Sequence, residues 1–90
     1  MLLTPYSVNK KADKDLRLAF GKQVRKLRLA RGYSMRGFAN EADIEYSQVV
    51  RIENGITAPT ITTVFKIAET LNMPLNDLFD FPYTTSVKVK

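Results

Sequence analysis

The sequence predicts an all-α domain of five helices, the second and third of which form a helix-turn-helix. Three observations predict it. Apolar residues recur at helical spacing, as in Leu16, Phe20, Val24 and Leu27, which step by four, four and three. Between the periodic stretches stand residues that cap or stop helices: Gly32 and Ser34, Asp43, Asn54-Gly55, Pro59-Thr60, and Asn72 with Pro74. The stretch Ser34 to Gly55 fits two short helices around one tight turn.

Each element follows from its residues. Residues 1–12 are polar and contain a proline, and are expected to form a flexible leader. Helix 1 is expected from about Asp13 to Arg31. Asp13 and Asp15 at its start and Arg28 and Arg31 at its end complement the helix dipole. Gly32 supplies the left-handed residue that stops it. Helix 2 spans about Met35 to Ala42, opened by the capping Ser34, with Phe38, Ala39 and Ala42 on its apolar side. Asp43 holds the turn, because Asp tolerates positive φ better than most residues. Helix 3 spans about Glu45 to Glu53 and turns Val49 and Ile52 inward, with Ile44 just ahead of it.

Helix 4 begins after Thr60, its expected N-cap. Its expected apolar face is Ile61, Val64, Phe65, Ala68 and Leu71, and Asn72 ends it. Pro74 opens a short helix 5 carrying Leu75, Leu78 and Phe79. Residues 81–90 form a tail, β-prone over Thr84 to Lys90. The expected organisation is a leader over 1–12, a folded domain over 13–80 and a tail over 81–90.

Composition narrows the function classes. Ninety residues make one domain. A chain of this size buries roughly 60–65% of its unfolded surface, so its stability is modest. It has no cysteine and no histidine, which excludes disulfides, thiolate or zinc-finger metal sites and histidine-based catalysis. No phosphate loop is present and the carboxylates are scattered, so neither an enzyme nor a cofactor is expected. The N-terminus lacks the apolar core of a signal peptide, and no apolar run approaches the ~20 residues of a membrane span. A soluble cytoplasmic protein with no membrane association and no small-molecule ligand is the expectation.

The net charge of +5 is unevenly placed. Lys10 to Arg36 holds ten basic and two acidic residues; Gly37 to Lys90 holds four basic and seven acidic ones. A concentrated positive field attracts phosphate. The same charges also suit an ordinary solvated helix face.

Between Phe20 and Phe79, about two-thirds of the chain, a series of pieces stands in a definite order. These are Gly21-Lys22-Gln23-Val24-Arg25-Lys26-Leu27-Arg28, Gly32-Tyr33-Ser34, Phe38-Ala39, Val49-Val50-Arg51-Ile52-Glu53-Asn54-Gly55, Pro59-Thr60, and Leu71 to Phe79. In this order they resemble the phage-repressor (Cro-like) helix-turn-helix DNA-binding domain, the XRE-type family of transcriptional regulators. The resemblance implies a compact lambda-repressor-like fold with helix 3 in a DNA major groove. The family usually has glycine where Asp43 stands and often glutamine where Met35 stands, so two details depart from its pattern.

Site residues follow by carry-over from that resemblance. Tyr46, Ser47 and Arg51, with Gln48 beside them, are the expected base contacts. Arg51 can donate two parallel bonds to guanine O6 and N7, and Gln48 can pair with adenine. Ser34, Met35, Arg36 and Asn40 around the start of helix 2, and Thr60 and Thr62 at the start of helix 4, are the expected phosphate contacts. The resemblance also implies an ion pair between Arg28 and Glu53 that ties helix 1 to the end of helix 3. Glu41, Asp43 and Glu45 place negative charge near this face, which implies modest, salt-sensitive affinity per monomer.

The expected function is sequence-specific binding of double-stranded DNA as a small regulator, a repressor, acting on an inverted-repeat operator. Homodimerisation is expected through the apolar C-terminal residues Leu75, Leu78, Phe79, Phe81 and Tyr83, with Val87 to Lys90 able to pair as a strand. Those aromatics equally suit closure of the monomer core. A second reading is the antitoxin of a toxin–antitoxin pair, binding a protein partner as well as DNA. A third is a protein-bridging module.

Overall fold

A computed structural model describes residues 10–83. The leader over 1–9 and the β-prone run over 84–90 lie outside the described residues. Five helices follow one another: α1 Lys10–Ala30, α2 Met35–Ala42, α3 Tyr46–Glu53, α4 Ile61–Thr70 and α5 Leu75–Leu78. The expected all-α architecture is the one observed, and no strand occurs among the described residues.

Helix α1 starts three residues earlier than its sequence suggests, at Lys10. Charged pairs one turn apart support its opening turns: Lys11 with Asp15 at 3.1 Å, and Arg17 with Asp13. The Tyr83 hydroxyl donates to the Ala12 carbonyl at 2.9 Å, so the segment after α5 folds back over this end. Residues 10–12 are thus helical, and Tyr83 is bonded to them.

The stops behave as their chemistry demands. Gly32 has φ +79°, a conformation that costs glycine little. Asp43 adopts the left-handed conformation with φ 58° and ψ 50°, and its N–H bonds back to the carbonyls of Ala39 and Asn40. Ser34 accepts from Gly37 N, and Thr60 accepts from Thr63 N, each satisfying a backbone donor that a helix start leaves free.

The core is built by Phe20 and Val24 of α1, Phe38 and Ala39 of α2, and Val49 and Ile52 of α3. Ile67, Ala68 and Leu71 of the α4 region and Leu78 of α5 complete it. Helices α1 and α3 meet closely at Gly21. A Cβ added there would lie under 3.0 Å from the carbonyl oxygens of Ile52 and Glu53. Only glycine allows α1 to reach the end of α3 at this separation.

Two expectations about faces are corrected. On α4 the buried residues are Thr63, Ile67 and Ala68, whereas Ile61 and Phe65 are 74% and 50% exposed. Ala68 and Leu71 are buried and Val64 packs against the core as expected, while Thr63 and Ile67 take the inward places expected of Ile61 and Phe65. Thr63 can be buried because its hydroxyl is bonded to Thr60 and Gln48. On α1, Leu16 is 41% exposed and does not extend the buried stripe of Phe20 and Val24.

The chain after α5 closes the monomer. Phe79 stacks on Phe20 with ring centroids 5.4 Å apart, and Phe81 lies 6.4 Å from Phe20. Gln23, nearly buried, donates through Nε2 to the carbonyls of Asp80 at 3.2 Å and Asp77 at 3.4 Å. That contact fixes the end of α5 to the middle of α1.

Candidate nucleic-acid interface

A surface that reads a DNA groove needs a narrow element held rigidly, with side chains free on its outer side. Helix α3 is eight residues long. Val49 and Ile52 hold it to the core, and Glu53 anchors its last turn. Glu53 accepts from Arg28 Nε at 2.7 Å through one carboxylate oxygen and from Arg28 Nη2 at 3.0 Å through the other. Arg28 Nη1 also donates to the Tyr33 carbonyl at 2.8 Å. Both charged side chains are almost fully buried. Such a two-pronged pair sets the distance and angle between α1 and α3.

A second anchor holds the chain just beyond α3. Arg17 Nε donates to the Gly55 carbonyl at 3.1 Å. The Asn54 side chain donates to the Val50 carbonyl at 2.8 Å and closes the helix end. On the far side, Gln48 is half-buried and donates through Nε2 to Thr63 Oγ1 at 3.4 Å, linking α3 to the first turn of α4.

The outer side of α3 carries Tyr46, Ser47 and Arg51, all exposed. Ser47 and Arg51 are one turn apart, and Tyr46 precedes Ser47 at the helix start. Gln48 differs from these three. Its amide is engaged with α4, so its position on the outer side is partial.

The start of α2 stands beside the start of α3. The Arg36 guanidinium carbon lies 4.3 Å from the centre of the Tyr46 ring. The residues assigned to two separate expected groups, one for phosphate and one for bases, are thus in direct contact. Ser34 and Asn40 are exposed, whereas Met35 is half-buried against the core. What Met35 offers an anion is its backbone N–H in the first turn of α2, where the amides of Met35 and Arg36 have no intrahelical acceptor. At the start of α4, Thr62 is exposed, and the Thr60 hydroxyl is occupied in capping.

Charge on this side is mixed. Asp43 and Glu45 border a shallow polar groove with Asn40, Tyr46 and Gln48. Lys66 of α4 reaches back to the turn, its Nζ 3.2 Å from the Asp43 carbonyl oxygen and 3.7 Å from its carboxylate. The concentrated positive charge of α1 is partly consumed inside the fold by Arg17 and Arg28. Lys22 and Lys26 line a different groove, with Phe81, Pro82 and Tyr83. Sequence reasoning did not foresee the contacts of Arg17, Gln23, Lys66 and the Arg36–Tyr46 stack. Each joins residues distant in the chain, and only the excess of Arg and Lys hinted at them.

Among the described residues, no cluster of acidic side chains could hold a metal ion. No described helix is long and apolar enough to cross a membrane.

Comparison with known proteins places this geometry. The profile of the helix-turn-helix family HTH_3 matches residues 24–78, more than half of the chain. A protein of Bacillus subtilis (strain 168), the HTH-type transcriptional regulator SlrR, is 34% identical over 61 residues, covering 67% of this chain. The chain spans 40% of the length of that relative. The crystal structure of the restriction-modification controller protein C.AhdI from Aeromonas hydrophila superposes with a TM-score of 0.70 at 28% identity. That match covers 72% of this chain and 98% of the controller protein. An HTH_3 family transcriptional regulator from Vibrio cholerae gives a TM-score of 0.70 at 30% identity, over 74% of this chain and 38% of the other.

Proposed function

The chain belongs to the HTH_3 helix-turn-helix family of DNA-binding transcriptional regulators, and from that premise we propose that it is a sequence-specific repressor whose α3 enters the major groove of an operator. The observation that carries this reading is the exposure of Tyr46, Ser47 and Arg51 on a helix locked by the buried Arg28–Glu53 pair. Arg51 is the principal base reader, through two parallel N–H donors to guanine. Ser47 fits close against a base edge. Gln48 braces α3 against α4 and keeps its amide oxygen and one N–H for a base.

The backbone amides of Met35 and Arg36, the Arg36 side chain, and Ser34 and Asn40 grip one phosphate strand. Thr62 and the free backbone amides in the first turn of α4 grip the other, while the Thr60 hydroxyl holds that turn through Thr63.

The operator is an inverted repeat read by a homodimer. The expected dimer surface changes in detail. Leu78 is fully buried and Leu75 and Phe81 pack on the core, so these residues close the monomer. Phe79 remains 48% exposed. It shares an apolar groove with Leu16, Phe20, Pro59 and Val64. Ile61 and Phe65 flank Val64 on the same side of α4. This surface, rather than the whole C-terminal segment, is where two copies meet.

The test is selection of bound duplexes from a random pool at a fixed, stated salt concentration. Enrichment of an inverted repeat with half-sites about one helical turn, roughly 34 Å, apart supports the reading. No enrichment even at low salt removes it, and favours a protein-bridging role.

A further inference from the structure

We propose that Tyr46 acts as a positioning residue: its ring seats the Arg36 guanidinium, so that α2 and α3 present a preformed phosphate clamp. This rests on the DNA-binding reading above and adds to it the division of labour between two residues that the sequence places ten positions apart. The stack joins the first turn of α2 to the first turn of α3, across the turn at Asp43.

The chemistry favours this arrangement. A guanidinium lying over an aromatic ring uses its face, and its N–H donors remain free in its own plane. Those in-plane donors are what a phosphate accepts in the two-pronged geometry typical of arginine. The amides of Met35 and Arg36 lie in the first turn of α2, so the guanidinium and these backbone donors belong to the same helix turn. A free surface arginine must give up rotamer freedom on binding; one already seated loses less. The ring face covered by Arg36 is no longer available to a base, which leaves Tyr46 its other face, its edge and its hydroxyl. Glu45 precedes Tyr46 and is exposed, and makes no side-chain cap. With Asp43 it lines the groove beside Tyr46, and the guanidinium offsets the repulsion of these carboxylates toward the DNA backbone.

Four variants test the proposal: Arg36→Ala, Tyr46→Phe, Tyr46→Leu and the double variant Arg36→Ala/Tyr46→Leu. Binding is measured to the duplex selected by the wild type and to a scrambled duplex of equal length, over a salt series. Arg36→Ala is expected to reduce the slope of log affinity against log salt by about one unit on both duplexes, as loss of one phosphate contact does. Tyr46→Leu is expected to weaken both duplexes alike by about 2–5-fold, the worth of an exposed cation–π contact. Tyr46→Phe keeps the ring and is expected to match the wild type. The double variant is expected to be no weaker than Arg36→Ala alone.

A loss with Tyr46→Phe equal to that with Tyr46→Leu, or a loss confined to one base pair, would overturn the proposal, because Tyr46 would then be reading bases. Strict additivity in the double variant would overturn it too. A readout without DNA stands beside these. The Arg36 side-chain protons should be shifted upfield by the ring current in the wild type and Tyr46→Phe, and not in Tyr46→Leu. Absence of that shift in the wild type sinks the proposal alone. Failure of the wild type to bind either duplex at low salt sinks the DNA-binding reading, and this proposal with it.

Discussion

Glu53 and Gly21 meet at one point of the molecule and fail in different ways when changed. Glu53 is the acceptor for a buried guanidinium. Glu53→Gln leaves Arg28 with an uncompensated charge, a loss of roughly 3–5 kcal/mol for a buried pair. That is a large share of the 5–15 kcal/mol, roughly, that holds a domain together. Urea unfolding should show the midpoint falling accordingly; a melting temperature unchanged within a degree would contradict the role given to the pair. Gly21→Ala sets two effects against each other. Helix propensity favours alanine by about 1 kcal/mol, but the added methyl meets two backbone carbonyl oxygens under 3.0 Å away. Backbone cannot step aside as a flexible side chain can, so overpacking of about 1–3 kcal/mol wins and the variant is less stable. Chemical denaturation decides the sign. The first of these residues was legible through a resemblance; the second was not. Nothing local distinguishes a glycine inside a helical stretch from one that another helix presses upon.

At the scale of the helices, what the sequence revealed was what the sequence does locally. Ser34, Thr60 and Gly32 act on their own neighbours, and Asp43 takes its left-handed conformation within its own turn. Their roles could be read from residue type and order. The inward face of α4 could not. Ile61, Val64, Phe65, Ile67, Ala68 and Leu71 all fall within one arc of about 160°, so periodicity finds the apolar side but not which part of it is buried. Tertiary contact with α2 and α5 chooses Ile67, Ala68 and Leu71, and leaves Ile61 and Phe65 outside. The exposure of the candidate contact residues was legible to the same degree. Tyr46, Ser47 and Arg51 stand exposed on α3, while the bond from Gln48 to Thr63 depends on where α4 lies. Capping gives a prediction at this scale. Ser34→Ala removes the acceptor for Gly37 N and should cost about 1 kcal/mol. Its loss should also show as faster hydrogen exchange in the first turn of α2. Unchanged exchange there would mean that the cap does not hold the turn.

As a whole, the molecule keeps two surfaces for two purposes. In the function proposed here the polar outer side of α3 faces DNA, and the apolar surface of Leu16, Ile61, Phe65 and Phe79, all exposed, is left for a second copy. An aspartate at position 65 would sit in the second surface and outside the core. Phe65→Asp is therefore expected to leave the melting transition within about 1 kcal/mol of the wild type, as for an exposed site. It should shift sedimentation equilibrium from dimer to monomer and weaken operator binding by about 10²-fold or more through lost avidity. A dimer that survives the substitution would place the contact elsewhere.

The central claim is that α3 reads base edges through Arg51, and one comparison tests it most directly. Affinities of the wild type and Arg51→Ala are measured on the selected operator and on every single base-pair variant of one half-site, at one salt concentration. The account predicts that Arg51→Ala loses about 1–3 kcal/mol on the operator and becomes indifferent to one base pair, with the other positions discriminated as before. An equal loss on every duplex, with discrimination intact at all positions, would make Arg51 a phosphate contact and contradict the account.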